Sequence, residues 1–353
     1  MPEVSKGENK DTRKTKWLTI WLAFAVGILL SGLAARSVVY SFLADRSFAR
    51  FLKETRPFFD GVKKLERMEG LTSALLYADR ASGLEPDNSL WPFKRGETYL
   101  RLAQIAQSET LQMQLADMAF REFQQAARLE PTNARYHFQI ALFYAGFGLR
   151  EPAEENFQKT LLLAPNDAYY LYHIGTFFLE AGDIDRAFAN YAKCLERSEI
   201  FLSAILDHCI AQVADYELYA AVIPDTPQLH LAASEYLRKK GLEAEASREC
   251  EKVISTARKW TDEDREVAQS HLFMARALKA LGRMDESIES YKIAISLSAE
   301  DKTPRLELAD TYYKVGSLKE ALSELDALIQ ANPAHRAALA LRENIQKRLG
   351  RGS

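Results

Sequence analysis

Apolar and small residues recur along this chain at a fixed offset. Pro131 and Pro165 are 34 positions apart, and so are Gly148 and Gly182. Around each glycine, two stretches of apolar residues follow the three- and four-residue spacing of an amphipathic helix. Each interval is therefore predicted to fold as an antiparallel pair of α-helices, and a period of this length indicates an array of repeats.

Small and aromatic residues keep fixed places within each interval. A small residue in the second helix, as at Ala153, lets the two helices approach closely, and an aromatic residue four positions later, as at Phe157, fills the gap to the next pair. A glycine in the turn can adopt the positive φ that ends a helix, and a proline after the second helix turns the chain. The glycines are Gly148, Gly182, Gly241, Gly282 and Gly316, and the prolines are Pro86, Pro131, Pro165 and Pro333.

This pattern closely resembles the tetratricopeptide repeat family. The resemblance rests on Ile140-Ala141, Tyr144, Gly148, Ala153, Phe157 and Pro165, with counterparts that start at Ile174, Met274 and Leu308. It implies an all-α fold, a right-handed superhelical solenoid of antiparallel helix pairs, whose function is to bind other proteins. The repeat units are predicted at 55–88, 89–133, 134–167, 168–201, 227–260, 268–301 and 302–335.

Two segments interrupt the period. The unit at 89–133 carries extra residues around 106–115, because Pro86 and Pro131 are 45 positions apart, and this predicts a longer helix or turn. After Leu202 the pattern fails, since Tyr216–Ile223 is too short for a full second helix. The predicted order is an N-terminal block at 55–201, a truncated repeat at 202–226, a C-terminal block at 227–335, and a capping helix and tail at 336–353.

The N-terminal region predicts a membrane anchor. Residues 17–35 contain no charge and are long enough, as a helix, to cross roughly 30 Å of hydrocarbon. The tail at 1–16 carries five Lys and Arg, against three in residues 36–50, so the positive-inside rule predicts a cytoplasmic N-terminus. A cleavable signal peptide is the alternative. We expect a single-pass protein of the inner or cytoplasmic membrane, with the repeats on the periplasmic or extracytoplasmic side.

Residues 36–54 join the predicted span to the repeats. Aromatic and aliphatic residues such as Phe42, Phe48 and Phe51 alternate there with Arg46 and Arg50. Two interpretations fit this mixture: a juxtamembrane helix that lies among the lipid headgroups, or a helical neck that connects the span to the array.

Charge and composition exclude several classes of function. The chain has 46 Lys and Arg against 49 Asp and Glu, so it has no basic excess to neutralise a nucleic-acid backbone. Gly146-Phe147-Gly148 lies in a predicted turn between helices, and no Gly-Lys-Ser/Thr triplet of a phosphate-binding loop is present. We therefore predict neither a nucleic-acid partner nor a cofactor, and we do not expect an enzyme.

Histidine and cysteine positions favour packing over chemistry. His137, His230 and His271 occupy the same place in their units, where a large side chain packs, and metal binding is a remote alternative. Cys194 and Cys209 lie where neighbouring repeats meet. Buried free thiols are the favoured interpretation, with a disulfide between the two, or a zinc site that includes His208, as alternatives. Cys250 occupies an aromatic position and is predicted to lie in the core.

The family resemblance implies a binding groove lined by the first helix of each pair. Aromatic and Arg side chains in a groove are typical of sites where peptides bind strongly. No arrangement of basic and amide side chains for a terminal carboxylate is evident, and some groove residues could instead contact the extra residues or a loop. The predicted groove residues are Phe93, Lys94, Arg101, Arg135, Phe138, Gln139, Tyr169, Tyr172, His173 and Thr176.

These observations together predict a membrane-anchored interaction scaffold, or an accessory subunit of a membrane or envelope assembly. One alternative is a chaperone-like factor that holds translocated polypeptides. Another is a structural subunit of a larger membrane complex, held through its span, where Gly27 and Ser31 offer a small-residue face.

Overall fold

The computed structural model describes residues 64–213, 215–298 and 301–350, and over these residues the regular secondary structure is helical throughout. The α-helices, in chain order, are α1 Lys64–Leu84, α2 Leu90–Ile105, α3 Glu109–Leu129, α4 Ala134–Gly146, α5 Arg150–Leu163, α6 Ala168–Glu180, α7 Ile184–Arg197, α8 Leu202–Gln212, α9 Tyr216–Ala220, α10 Pro227–Lys239, α11 Glu243–Asp262, α12 Val267–Ala280, α13 Met284–Leu297, α14 Thr303–Val315, α15 Leu318–Ala331 and α16 Arg336–Gly350. The predicted all-α fold is confirmed for this part of the chain.

The predicted N-terminal elements lie outside the described residues. These are the basic tail at 1–16, the span at 17–35, the neck at 36–54 and the start of the first repeat unit. Among the helices that the structure describes, none is both long enough and apolar enough to cross a membrane.

The chain divides into two compact units, and the second begins at Asn166. The division therefore falls between two full repeats, before the irregular segment at 202–226. The first unit contains α1 to α5, and the second contains α6 to α16.

In the first unit, the core lies between paired helices. Phe93 on α2, Phe123 on α3 and Tyr136 on α4 are buried together with Ala119, Ala126 and Ile140. Gly96 on α2 gives this core its close approach, because a Cβ atom there would lie 2.6 Å from the ring of Phe123. The extra residues of this unit lengthen both helices of the pair, since α2 has 16 residues and α3 has 21.

In the second unit, one short helix pair lies between the full pair α6–α7 and the three full pairs that follow. Helices α8 and α9 form the truncated repeat, and α9 has only five residues, as the short apolar stretch there predicts. Gly182 takes φ +77° in the turn between α6 and α7, which is a conformation that a side chain would strain. At the C-terminal end, Ala338 and Ile345 of α16 are buried against α14 and α15, so this helix covers the last pair.

Candidate functional site

The predicted groove residues of the first unit lie on α2 and α4. The carboxylate of Glu97 accepts hydrogen bonds from Lys94 Nζ at 2.7 Å and from Arg135 Nη2 at 2.8 Å. The Arg135 guanidinium lies over the ring of Phe93, 4.4 Å from its centroid. The structure therefore brings two basic side chains together around one shared carboxylate, which offsets part of their charge.

Two residues of the predicted groove do not reach the surface. Phe93 is 1% exposed and packs between Phe123 and Tyr136, with ring centroids 5.6 Å and 5.0 Å away. Phe138 is fully buried, with its ring 6.0 Å from that of Phe157 on α5. The structure corrects the prediction for these two rings, because packing between helices draws them into the interior. Arg101 and Gln139 are half-buried on the same helices.

The predicted groove residues of the second unit form an aromatic cluster on α6. The ring of His173 lies between Tyr169 and Tyr172, with centroids 4.4 Å and 4.9 Å away and steep angles to both. Tyr169 is 48% exposed, and Tyr172 and His173 are half-buried. The helix begins at an Asp167 cap whose side chain accepts hydrogen bonds from the backbone N–H groups of Tyr169 and Tyr170.

Two further rings complete this cluster, and the prediction missed both. The ring of Phe201, at the end of a 3₁₀ turn, stacks on the ring of Tyr172 with centroids 5.0 Å apart. The ring of His208 on α8 also stacks on Tyr172, with centroids 5.9 Å apart. His208 lies 34 positions after Ile174, so the repeat offset could have placed it beside α6. Phe201 gave no comparable signal. We define the α6 aromatic surface as Tyr169, Tyr172, His173, Phe201 and His208.

Hydroxyl groups fix the inner edge of the α6 aromatic surface. Thr176 Oγ1 donates to the carbonyl oxygen of Tyr172 at 3.0 Å, so the Tyr191 hydroxyl, also 3.0 Å away, donates to Thr176. His208 Nδ1 lies 3.5 Å from Thr176 Oγ1 and 3.4 Å from the Tyr191 hydroxyl. Thr176 is half-buried, and its hydroxyl group holds the ring of Tyr191 in place next to Tyr172.

Burial shifts the pKa of several of these groups away from the charged form. Desolvation raises the pKa of Tyr172 and of Tyr191 above the usual range of a phenol. Desolvation, together with the nearby His208, lowers the pKa of His173. Tyr172 and His173 therefore offer flat, uncharged rings to a partner.

The cysteines are free thiols. Cys194 and Cys209 are both buried, so the structure does not support the disulfide that the sequence left open. The Cys194 thiol donates to the carbonyl oxygen of Ala168 at 3.2 Å, and burial raises the pKa of each of these two thiols to about 12. Cys250 packs with Leu231, Val253 and Phe273, as predicted for a core position. Within the described parts of the chain, no group of three or more His, Cys, Asp or Glu side chains could hold a metal ion.

The three histidines of the shared repeat position differ in their surroundings. His137 lies 2.8 Å from the carbonyl oxygen of Pro131, and His271 is half-buried. His230 is 4% exposed and its Nδ1 donates to Glu249 at 2.6 Å. His137 and His271 are therefore half-buried side chains, whereas His230 belongs to a buried polar network that the sequence pattern did not reveal.

The buried polar network is centred on Glu249, which is fully buried on α11. Its carboxylate accepts hydrogen bonds from the hydroxyl of Tyr216 on α9, from His230 on α10, and from Lys252 Nζ at 3.0 Å. Burial by itself raises the pKa of Glu249, but the hydrogen bonds from His230 and Tyr216 outweigh it and hold this pKa below its usual value. The network ties the truncated repeat to the next helix pair.

Family models support the repeat assignment over part of the chain. Two models described as tetratricopeptide repeat match residues 168–200 and 278–345. Tetratricopeptide repeats are present in this chain. The first match coincides with the unit predicted at 168–201, which carries most of the α6 aromatic surface. Among curated proteins, none matches this chain in sequence.

Solved structures with similar helix arrays show low identity. The crystal structure of MamA protein has a TM-score of 0.34 and 15% identity, and the match covers 64% of this chain and 94% of that one. Yeast Tom70 has a TM-score of 0.35 and 14% identity, over 87% of this chain and 64% of that one. PilW, described as a widely conserved type IV pilus biogenesis factor, has a TM-score of 0.31 and 16% identity, over 70% and 97%.

Proposed function

We propose that this protein is a membrane-anchored scaffold that binds a protein partner through the α6 aromatic surface. The observation that carries the proposal is the concentration of rings at this place, where Tyr169 is 48% exposed and Tyr172 and His173 are partly accessible. Large aromatic side chains dominate the binding energy of protein interfaces, because they bury much apolar area and lose little conformational entropy. Tetratricopeptide repeats in the same segment support a protein as the ligand.

The geometry of the surface favours an extended peptide or a loop with apolar side chains. Phe201 and His208 stack on Tyr172 and hold its ring in one orientation, so the surface is organised before a partner binds. The tyrosine hydroxyls and the imidazole of His173 can form hydrogen bonds with a peptide backbone. The first unit carries a separate and more polar group of side chains, which are Lys94, Arg135 and the half-buried Arg101 and Gln139.

The anchor is part of the proposal. Residues 17–35 carry no charge over a length that suits a single span, and the basic tail before them favours a cytoplasmic N-terminus. The repeats then lie on the extracytoplasmic side of an inner or cytoplasmic membrane, as part of a membrane or envelope assembly. The proposed role is non-enzymatic.

Site-specific photo-crosslinking tests the binding surface. A photo-crosslinking amino acid at Tyr169 is expected to give one discrete adduct in cells, identified by mass spectrometry. The same amino acid at Leu162, which is 82% exposed on α5, provides the control for unspecific collisions. Tyr172→Ala in the Tyr169-labelled chain is expected to reduce the adduct about tenfold or more, because it removes the central ring of the surface.

The outcomes separate the proposal from its rival. Equal adducts at Tyr169 and Leu162 would rule out the α6 aromatic surface as the binding site. A broad series of adducts with many exported proteins, found at Tyr169 and absent at Leu162, would favour the chaperone-like holding factor.

A further inference from the structure

The first unit has an apolar end that its described helices, α1 to α5, do not cover. Phe120 on α3 stacks on Phe143 of α4 with ring centroids 4.2 Å apart. Met113 precedes Phe120 by seven residues and so lies on the same side of α3, about 10 Å further along the axis. At that height α4 has already ended at Gly146, and Met113 is 57% exposed.

The turn after α4 adds two more apolar side chains. Phe147 is 53% exposed, with its ring 4.7 Å from that of Phe143, and Leu149 is 50% exposed. The equivalent pairs in the other turns around a glycine contain at most one large apolar residue each. These pairs are Ala181 and Asp183, Lys240 and Leu242, Leu281 and Arg283, and Val315 and Ser317. We define the apolar ledge as Met113, Phe120, Phe143, Phe147 and Leu149.

The described chain begins at the same end of the unit as the apolar ledge. Asp79 near the end of α1 pairs with Arg95 near the start of α2 at 3.3 Å, so these helices are antiparallel. Phe93 near the start of α2 contacts Phe123 in the later part of α3, so this pair is antiparallel as well. The first residue of α1, Lys64, therefore lies at the end of the unit where α3 begins, which is the end that carries the ledge.

The segment before α1 includes a stretch with the sequence pattern of a helix with one apolar face. In a helix over 44–54, Ala44, Phe48 and Phe51 would share one side, since they follow spacings of four and three. Arg46, Arg50 and Lys53 would share the opposite side. Such a helix needs an apolar surface to cover one face, and its charged face needs water or lipid headgroups.

We propose that residues 36–54 dock on the apolar ledge, with Phe48 and Phe51 against Phe147 and Met113. The nine residues at 55–63 span up to about 30 Å when extended, which is enough to bring the segment back over the end of the unit. Docking fixes the first unit to the chain that leads to the predicted span, so that the array has a defined orientation at its anchor. The inference goes beyond the proposed partner binding and does not depend on it.

Hydrogen exchange measured by mass spectrometry on the full chain in detergent tests the docking. In the double variant Phe48→Ser and Phe51→Ser, amide exchange of residues 109–120 and 143–150 is expected to rise about fivefold or more, because the free end of α3 loses its cover. The matched control is the double variant Arg46→Gln and Arg50→Gln, which changes the opposite face and is expected to leave exchange there unchanged. Unchanged exchange in the Phe variant would overturn the proposal.

Cross-linking identifies what covers the ledge. In the double variant Phe51→Cys and Met113→Cys, a short bis-maleimide is expected to link the two introduced cysteines within one chain. The native Cys194, Cys209 and Cys250 are buried and so are not expected to react. Covalent dimers in place of this product would show that a second copy covers the ledge and would overturn the proposal. Absence of any cross-link, with both single-cysteine variants reactive towards a maleimide, would overturn it as well.

Discussion

Gly175 lies where the two helices of the α6–α7 pair come closest. A Cβ atom at this position would lie 2.6 Å from the ring of Tyr191 and 3.2 Å from the backbone oxygen of Ala187. We expect Gly175→Ala to lower the free energy of unfolding by ~1–3 kcal/mol, because neither the buried ring nor the backbone can move without opening other contacts. Chemical denaturation followed by circular dichroism measures this change.

The control for Gly175 is Gly146, a helical glycine with open space around its Cβ position. Gly146→Ala is expected to leave stability unchanged or to raise it by up to ~1 kcal/mol, since alanine lowers the entropy of the unfolded chain. Equal destabilisation by both substitutions would contradict the close approach at Gly175.

The Glu249 network gives a second prediction for a single residue. Glu249→Gln removes a fully buried carboxylate that accepts hydrogen bonds from Tyr216, His230 and Lys252. We expect a loss of ~2–4 kcal/mol in the free energy of unfolding, because an amide cannot accept from all three donors. Glu217→Gln removes a pair with Arg248 in which both side chains are more than half exposed, and is expected to cost less than ~1 kcal/mol.

The same carboxyl group predicts how stability depends on pH. The pKa of Glu249 in the folded chain is below its unperturbed value of 4.5. Its contribution to stability is therefore complete above that pH and is lost as the pH falls through the lower folded value. Denaturation curves recorded at decreasing pH are expected to show a shallower loss of stability in Glu249→Gln than in the unmodified chain, and parallel losses would contradict this account.

At the scale of the helix, the start of α6 depends on one side chain. The Asp167 carboxylate accepts hydrogen bonds from the N–H groups of Tyr169 at 2.9 Å and Tyr170 at 3.3 Å. Asp167→Ala is expected to cost ~1 kcal/mol and to increase hydrogen exchange in the first turn of α6, because these donors lose their partner. Asp167→Asn keeps an acceptor at the same place, so a loss as large as that in Asp167→Ala would argue against capping.

The period of the sequence predicted most helix pairs, but it could not predict where extra residues go. The surplus near 106–115 was consistent with a longer helix or a longer turn. In the structure it extends both α2 and α3 and leaves only a short connection between Ile105 and Glu109. The helical spacing of apolar residues continues through the added residues, so it predicts a helix there. It does not predict which of their side chains stay exposed, because that depends on packing against α4.

For the full-length protein, the proposed anchor predicts a simple fractionation result. The full chain is expected to remain with membranes after extraction at alkaline pH, because a continuous apolar span partitions into hydrocarbon. A chain that lacks residues 17–35 is expected to be released. Replacing the same residues with an unrelated apolar span is expected to restore retention, and release of the full chain would contradict the proposed anchor.

Orientation requires a separate measurement. With the N-terminus in the cytoplasm, a reporter enzyme that is active only outside the cytoplasm is expected to be active when fused after Ser353. The same reporter fused before the predicted span is expected to be inactive. The reverse pattern would show that the repeats face the cytoplasm.

The repeat architecture of the described residues could be predicted from periodicity alone. In an array, each helix pair contacts its neighbours in the chain, so spacings over a few tens of residues specify both pairing and turns. The turn glycines with positive φ, the close approach at Gly175 and the buried ring of Tyr191 all follow from residue type at a fixed position in the period.

Which side chains are available to a partner depends instead on how the helices pack. Phe93 and Phe138 share the register of residues predicted to face a ligand, yet rings from neighbouring helices enclose them. Phe201 and His208 reach Tyr172 because the truncated repeat folds next to α6 and α7. The Glu249 network likewise depends on three helices meeting at one carboxylate. A period records which positions repeat, whereas burial depends on the size and charge of the particular side chains that meet.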